Sequence, residues 1–159
     1  MSTILRYKND LPFDLYHYCL MPNHFHLLIR IVRAADLSKL IHHIATSYSY
    51  YVRKAYDKVG YIFQGRYKSF LIENDSYLLD CGRYIERNPV RAGIVRDPAK
   101  YDWSSYNFYV NSMPNCLLSV DPLYAELAAT PKERQKIYRE YIEVPRNYEM
   151  LIDSALGFK

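Results

Sequence analysis

The chain reads as an α+β fold in which a short antiparallel sheet is packed by helices. Two observations carry this: a stretch of alternating and then continuous apolar residues broken by turn chemistry near residue 22, and two long stripes with apolar residues at helical spacing further on.

From about Asp14 to Val32 the pattern alternates and then runs apolar, with Pro22-Asn23 at its middle, so two strands meeting at a tight connection are expected. His24 and His26 open the second strand. From Asp36, an acceptable N-cap, residues Leu37, Leu40, Ile41, Ile44, Tyr48, Tyr51, Val52 and Ala55 keep helical spacing until Gly60, which predicts one long amphipathic helix. A β-rich stretch from about Gln64 to Ile72 follows. Asn74 and Asp75 then offer caps for a helix whose stripe is Tyr77, Leu78, Cys81, Tyr84 and Ile85, ending before Pro89. Past Asp97-Pro98 the pattern weakens into a loop, with a short helix around Trp103 to Tyr109 and two or three more between Pro122 and the C-terminus. At 159 residues this is one catalytic-sized domain, placed at 1–112, with a helical C-terminal extension at 113–159.

Composition narrows the function classes. Lys and Arg number 21 against 17 Asp and Glu, a formal charge of +4, which is a mild bias toward anionic partners. The 18 Tyr and 6 Phe are more telling, because rings among basic side chains can stack on unpaired bases, although most would serve equally well as core or half-buried residues. Cys19, Cys81 and Cys116 form neither a disulfide framework nor a CxxC zinc site. No apolar run reaches the roughly 20 residues of a membrane span and the N-terminus lacks the apolar stretch of a secretion signal, so a cytoplasmic protein with no membrane partner is expected.

Alternation along a strand sends His24 and His26 to one face and Phe25 to the other, so two imidazoles converge on one point. Such a pair starts a divalent-metal site and still needs a further oxygen or nitrogen donor; alone it fits a structural pair as well. In Tyr84-Ile85-Glu86-Arg87-Asn88, positions four apart share a helical face, so the Tyr84 phenol and the Asn88 amide project together. A phenol with a pKa of about 10 is a poor nucleophile until the phosphate it attacks is polarised, which a bound cation can do. Tyr84 also fits a core tyrosine on an amphipathic helix, and Asn88 a plain helix C-terminal residue.

Three blocks, Tyr18-Cys19-Leu20-Met21-Pro22-Asn23-His24-Phe25-His26-Leu27-Leu28, then Tyr84-Ile85-Glu86-Arg87-Asn88-Pro89-Val90-Arg91-Ala92-Gly93, then Trp103-Ser104-Ser105-Tyr106, occur in the order found in the REP-associated tyrosine transposases, which the chain resembles. These are one-tyrosine members of the HUH superfamily, where U is a hydrophobic residue. The resemblance implies a central antiparallel sheet, ferredoxin-like or RRM-like, carrying the histidine pair with the tyrosine helix beside it. It implies that His24, His26 and Asn88 hold Mg²⁺ or Mn²⁺. It further implies that Tyr84 forms a 5′-phosphotyrosine and that DNA hairpins are the substrate. Members of that family carry another strand and most of a helix before the segment that here begins near Leu5. An N-terminally shortened sheet is therefore expected, its exposed edge pairing with another copy to form a homodimer or being covered otherwise.

Arg30, Arg33, Arg66, Lys68, Arg87 and Arg91, in or beside these blocks, are candidates for phosphate contact, with solvated surface charge as the plain alternative. Tyr67 and Phe70 alternate with the Arg66/Lys68 pair and are candidates for base stacking or for the core. Glu73 is a candidate extra metal ligand or helix cap. His42 and His43 have no partner motif. Cys81, Met21 and Trp103 are expected to pack, and Ser104 to cap a helix. The leading expectation is a metal-dependent enzyme that cleaves and rejoins single-stranded DNA at repeat hairpins. The alternatives are a hairpin-binding relic without cleavage, which could make no covalent adduct, and a metal phosphodiesterase that activates water and would survive Tyr84→Phe.

Overall fold

The computed structural model describes residues 2–8, 10–73, 77–144, 146 and 148–156; the caps expected at Asn74 and Asp75 lie outside them. In chain order the elements are α1 (Ser2–Lys8), β1 (Phe13–Leu20), β2 (Phe25–Ile31), α2 (Ala34–Tyr56), α3 (Leu78–Arg91), α4 (Tyr106–Asn111), α5 (Pro122–Glu126), α6 (Pro131–Glu143) and α7 (Glu149–Leu156), with a 3₁₀ turn at Pro98–Lys100 before α4. The chain forms two compact units, Met1–Phe13 with Arg30–Ser69, and Asp14–Ile29 with Phe70–Lys159.

β1 and β2 form the expected two-stranded sheet. The Met21 N–H donates to the His24 carbonyl at 2.9 Å and closes the connection around Pro22-Asn23. Further along, the chain itself covers part of the other edge of β1. Isolated bridges pair Leu15 with Leu118 and Cys19 with Ser104, and the Leu20, Ser105 and Ser119 N–H groups make backbone bonds to Trp103, Tyr18 and Leu15. Of the two outcomes expected for an exposed edge, this segment of edge is covered from within.

α2 begins earlier than the sequence suggested. Arg33 holds the N-cap position, while Asp36 lies in the first turn, 1% exposed, and takes Arg33 Nε at 2.7 Å. An acid in that turn also suits the helix dipole. The helix ends at Tyr56, where Asp57 enters the left-handed region at φ 47°. α1 packs on α2, with Tyr7 stacked on His43 at 4.0 Å. No strand forms between Gln64 and Ile72. The chain from Gly60 to Tyr67 runs back beside α2 instead, through Arg53 Nη2 to the Gly60 carbonyl, Tyr48 against Phe63, and Ser38 Oγ with Tyr67 Oη. Its alternating side chains meet a helix, which offers no backbone ladder to pair with.

In the other unit α3 is the centre. Its residues from Cys81 to Pro89 are all buried, including Arg83, Glu86 and Arg87, so it is enclosed on every side rather than half-exposed. The apolar face joins Tyr16, Cys19, Leu28, Cys81, Tyr84, Ile85 and Tyr101 in one core. A second core unites Tyr106, Tyr109, Val110, Tyr124, Tyr138 and Ile142 from α4, α5 and α6. Two of its phenols bond to backbone: Tyr109 donates to the Tyr16 carbonyl and Tyr124 to the Tyr109 carbonyl, each at 2.7 Å. Cys81 and Met21 pack as expected, whereas Trp103 is 62% exposed and does not.

Between the cores lies a fully buried polar cluster. His17 of β1 holds Glu86 of α3 through Nδ1 at 2.9 Å and Asp121 through Nε2 at 3.1 Å. An imidazole that donates from both nitrogens is an imidazolium. Burial pulls its pKa down, but Glu86 and Asp121 outweigh this and raise it to about 9. Ser105 and Tyr138 also donate to Glu86, at 2.6 and 3.1 Å. This close approach explains a glycine inside a helix: a Cβ on Gly82 would stand 2.6 Å from His17 Nε2.

Candidate active site

His24 and His26 come from the hairpin. His24 is the last residue before β2 and His26 lies within it, so the ladder fixes one and the connection the other. Their rings meet edge to face at 4.9 Å, and the two Nε2 atoms stand 3.1 Å apart. Burial lowers the pKa of His24. Burial, then His24, takes His26 down to about 4, with Asp153 opposing. Both rings are therefore neutral near pH 7 and keep lone pairs.

α3 brings Tyr84 to the same place. Its ring meets that of His26 edge to face at 5.6 Å and is 2% exposed. One turn on, the Asn88 amide donates from Nδ2 to the Tyr84 carbonyl at 2.9 Å, which leaves its oxygen as the group able to face a cation. Pro89 does not stop the helix after Asn88 as the sequence suggested. α3 continues to Arg91, and Ala92 N–H bonds back to the Asn88 carbonyl. Near a C-terminus, the one N–H a proline lacks is a small loss.

The chemistry of this donor set suits a small dication. Two ligands at right angles on an ion with bonds of about 2.1 Å lie about 3.0 Å apart, close to the observed Nε2 separation. Among the described residues no group of three or more His, Cys, Asp or Glu could hold an ion. Glu73 is exposed.

The Tyr84 hydroxyl donates to Asp153 Oδ1 of α7 at 2.7 Å. Burial, then this bond and its charge, push the Tyr84 pKa up to about 12, so the phenol is protonated at neutral pH. Burial raises Asp153, but the bonds from Arg91 and Tyr84 outweigh it and hold the carboxyl low. Arg91 forms an ion pair with Asp153 and lies over the Tyr84 ring, its Cζ 5.1 Å from the centroid. Sequence reading missed Asp153. The signal available was periodic: Arg83, Arg87 and Arg91 repeat every four residues, and Glu149 and Asp153 are also four apart.

That ladder decides the fate of two expected phosphate contacts. Glu149 receives Arg83 at 2.6 Å, Arg87 at 3.0 Å and Arg91 at 3.5 Å. Arg87 is 8% exposed and also donates to the Ile142 and Glu143 carbonyls at the end of α6. Its cationic fork is engaged inside the unit, which is a cap and not a surface charge. Arg91 is partly exposed beside Tyr84. Arg30, Arg66 and Lys68 are exposed and belong to the other unit, as does Arg33, paired with Asp36. Tyr67 is 40% exposed and bonds Ser38; Phe70 is 45% exposed. Ser104 does not cap α4 as expected: Ser105 holds the N-cap position, and Ser104 Oγ, one residue before it, accepts the Tyr106 N–H at 3.4 Å.

Comparison with known proteins gives two findings. A family model described as transposase IS200-like matches residues 1–88, a span that includes His24, His26, Tyr84 and Asn88. A solved structure of a REP-associated tyrosine transposase bound to a REP hairpin superposes with a TM-score of 0.56 at 19% identity, over 76% of this chain and 68% of that one, which shows a shared fold. No curated protein matches. No helix among the described residues is long and apolar enough to cross a membrane.

Proposed function

The chain belongs to the IS200-like transposase family, and from that premise we propose that it cleaves and rejoins single-stranded DNA at repeat hairpins through Tyr84. The observation that carries this reading is the meeting of Tyr84 with the paired neutral imidazoles of His24 and His26. His24, His26 and the Asn88 oxygen would hold Mg²⁺ or Mn²⁺, which when bound polarises the scissile phosphate. The Tyr84 oxygen attacks phosphorus, a bond to tyrosine forms, and the bond to the 3′ oxygen breaks. The phenol proton is passed on as the 3′-hydroxyl leaves carrying a proton. Because one phosphodiester replaces another, a 3′-hydroxyl can reverse the step without ATP. Arg91, beside the Tyr84 ring, is placed to meet phosphate once it exchanges Asp153 for the substrate. The hairpin carried by the structural neighbour supports the same substrate class here.

The test is a labelled single-stranded hairpin oligonucleotide incubated with the protein and Mn²⁺ or Mg²⁺. A denaturant-stable adduct is expected, absent with EDTA and with Tyr84→Phe. A second reading, a hairpin binder that does not cleave, has the engagement of the Tyr84 hydroxyl by Asp153 in its favour. It predicts binding and no adduct under any metal.

A further inference from the structure

The C-terminal half of α2 departs from what its stripe predicts. Leu40 and Val52 are buried, but Tyr48 is 51%, Tyr50 68%, Tyr51 58% and Tyr56 70% exposed. Beyond the helix Tyr61 is 96% exposed. The chain leaving α2 doubles back along it, as the contacts of Arg53 with Gly60, Tyr48 with Phe63 and Ser38 with Tyr67 require. On the helix Tyr50, Tyr51 and Lys54 fall within about 100° of one another, on the face turned away from the returning segment.

Charge says what such a surface fits. Between Tyr48 and Lys68 there are five cations, Arg53, Lys54, Lys58, Arg66 and Lys68, and one acid, Asp57. The surplus of four equals the formal charge of the whole chain, so the rest of the sequence is neutral on balance. On the helix Tyr50 stands three and four positions from Arg53 and Lys54, and Tyr51 three from Lys54, so exposed rings and cations are one turn apart. A face for a second copy of the chain would favour apolar residues with few charges at its centre. Rings interleaved with cations suit a polymer of flat bases on an anionic backbone.

We propose that this face of α2 binds single-stranded DNA by stacking unpaired bases on Tyr50 and Tyr51 while Lys54 meets phosphate. The site is separate in sequence and unit from Tyr84 and the histidine pair. It rests on the reading of a DNA-processing protein for the identity of the polymer and needs no cleavage step.

Binding of a fluorescent, unstructured oligothymidylate would be followed by anisotropy, every protein also carrying Tyr84→Phe so that binding is read whether or not that tyrosine reacts. Tyr50→Ala and Tyr51→Ala are each expected to weaken binding about five-fold or more, with Tyr50→Phe close to the parent because the ring is kept. Lys54→Gln should lessen the salt slope by about 0.7, one phosphate contact. Unchanged affinity in both alanine variants overturns the proposal, as does a Tyr50→Phe loss equal to that of Tyr50→Ala. A concentration-dependent dimer by sedimentation that Tyr50→Ala dissociates without changing DNA affinity would assign the face to self-association instead.

Discussion

Raising the pH should unlock the buried cluster at His17 before anything else in the fold. The imidazolium is bonded to Glu86 and Asp121 and its pKa stands at about 9, against 6.5 for the exposed group in the unfolded chain. Because the folded value is the higher, the folded state holds its proton more tightly between those limits. The stabilisation is fully present below pH 6.5 and is lost as pH rises through 9. At about 1.4 kcal/mol per pH unit the whole effect is about 3 kcal/mol, of which about 2 is gone by about pH 8.5. Burial pushes the Cys19 and Cys81 thiols to about 12 and 11, so their own losses begin only above about pH 9 and leave this window clear. Urea unfolding followed by circular dichroism across the window gives the slope directly. His17→Gln should be less stable than the parent at pH 6.5 and should lack the parent's fall, rising slightly to about pH 7.5 as unfolded His24 and His26 lose their protons and staying flat from there to 8.5. A parent whose stability does not change over that range, or a variant that keeps the parent's slope, would refute the assignment of an imidazolium to this site.

Gly82→Ala places a Cβ 2.6 Å from His17 Nε2, so it should cost about 1–3 kcal/mol in the same assay despite the better helix propensity of alanine. Arg87→Ala should cost about 1–3 kcal/mol by leaving the α6 carbonyls without their donor and removing one of the three guanidinium partners of Glu149, while the salt slope of DNA binding by the folded fraction stays as it was. Arg66→Gln should do the reverse, leaving stability within about 0.5 kcal/mol and reducing that slope. Mn²⁺ binding by calorimetry should persist to lower pH than an ordinary imidazole pair would allow, because burial depresses the pKa values of both His24 and His26. Affinity that fades as pH falls through 6.5 would count against that assignment.

The hairpin and the spacing of its histidines were legible because a period of two is written directly into residues 14–32. The tyrosine helix was legible too, but only its apolar face. Its other faces carry Arg83, Glu86 and Arg87, which a pattern of apolar positions reads as solvent-facing and which tertiary partners far along the chain bury instead. Residues 64–72 misled for a related reason: alternation specifies two faces without specifying a strand partner, and Tyr67 found Ser38 on a helix. Asp153, 69 residues after Tyr84, was missed because its role comes from the docking of α7, and its one signal, the four-residue spacing from Glu149, names no partner.

The placement of one histidine inside the β ladder and the other on its closing connection bears on how this gene can drift. Insertions after α3 leave the imidazole pair alone, since neither ring depends on that part of the chain for its backbone. One codon added or removed between Met21 and His24 is different. It would carry His24 around the turn while His26 stayed in register, parting two nitrogens now 3.1 Å apart. The stretch least tolerant of a length change is therefore a surface turn, where proteins ordinarily absorb such changes most easily.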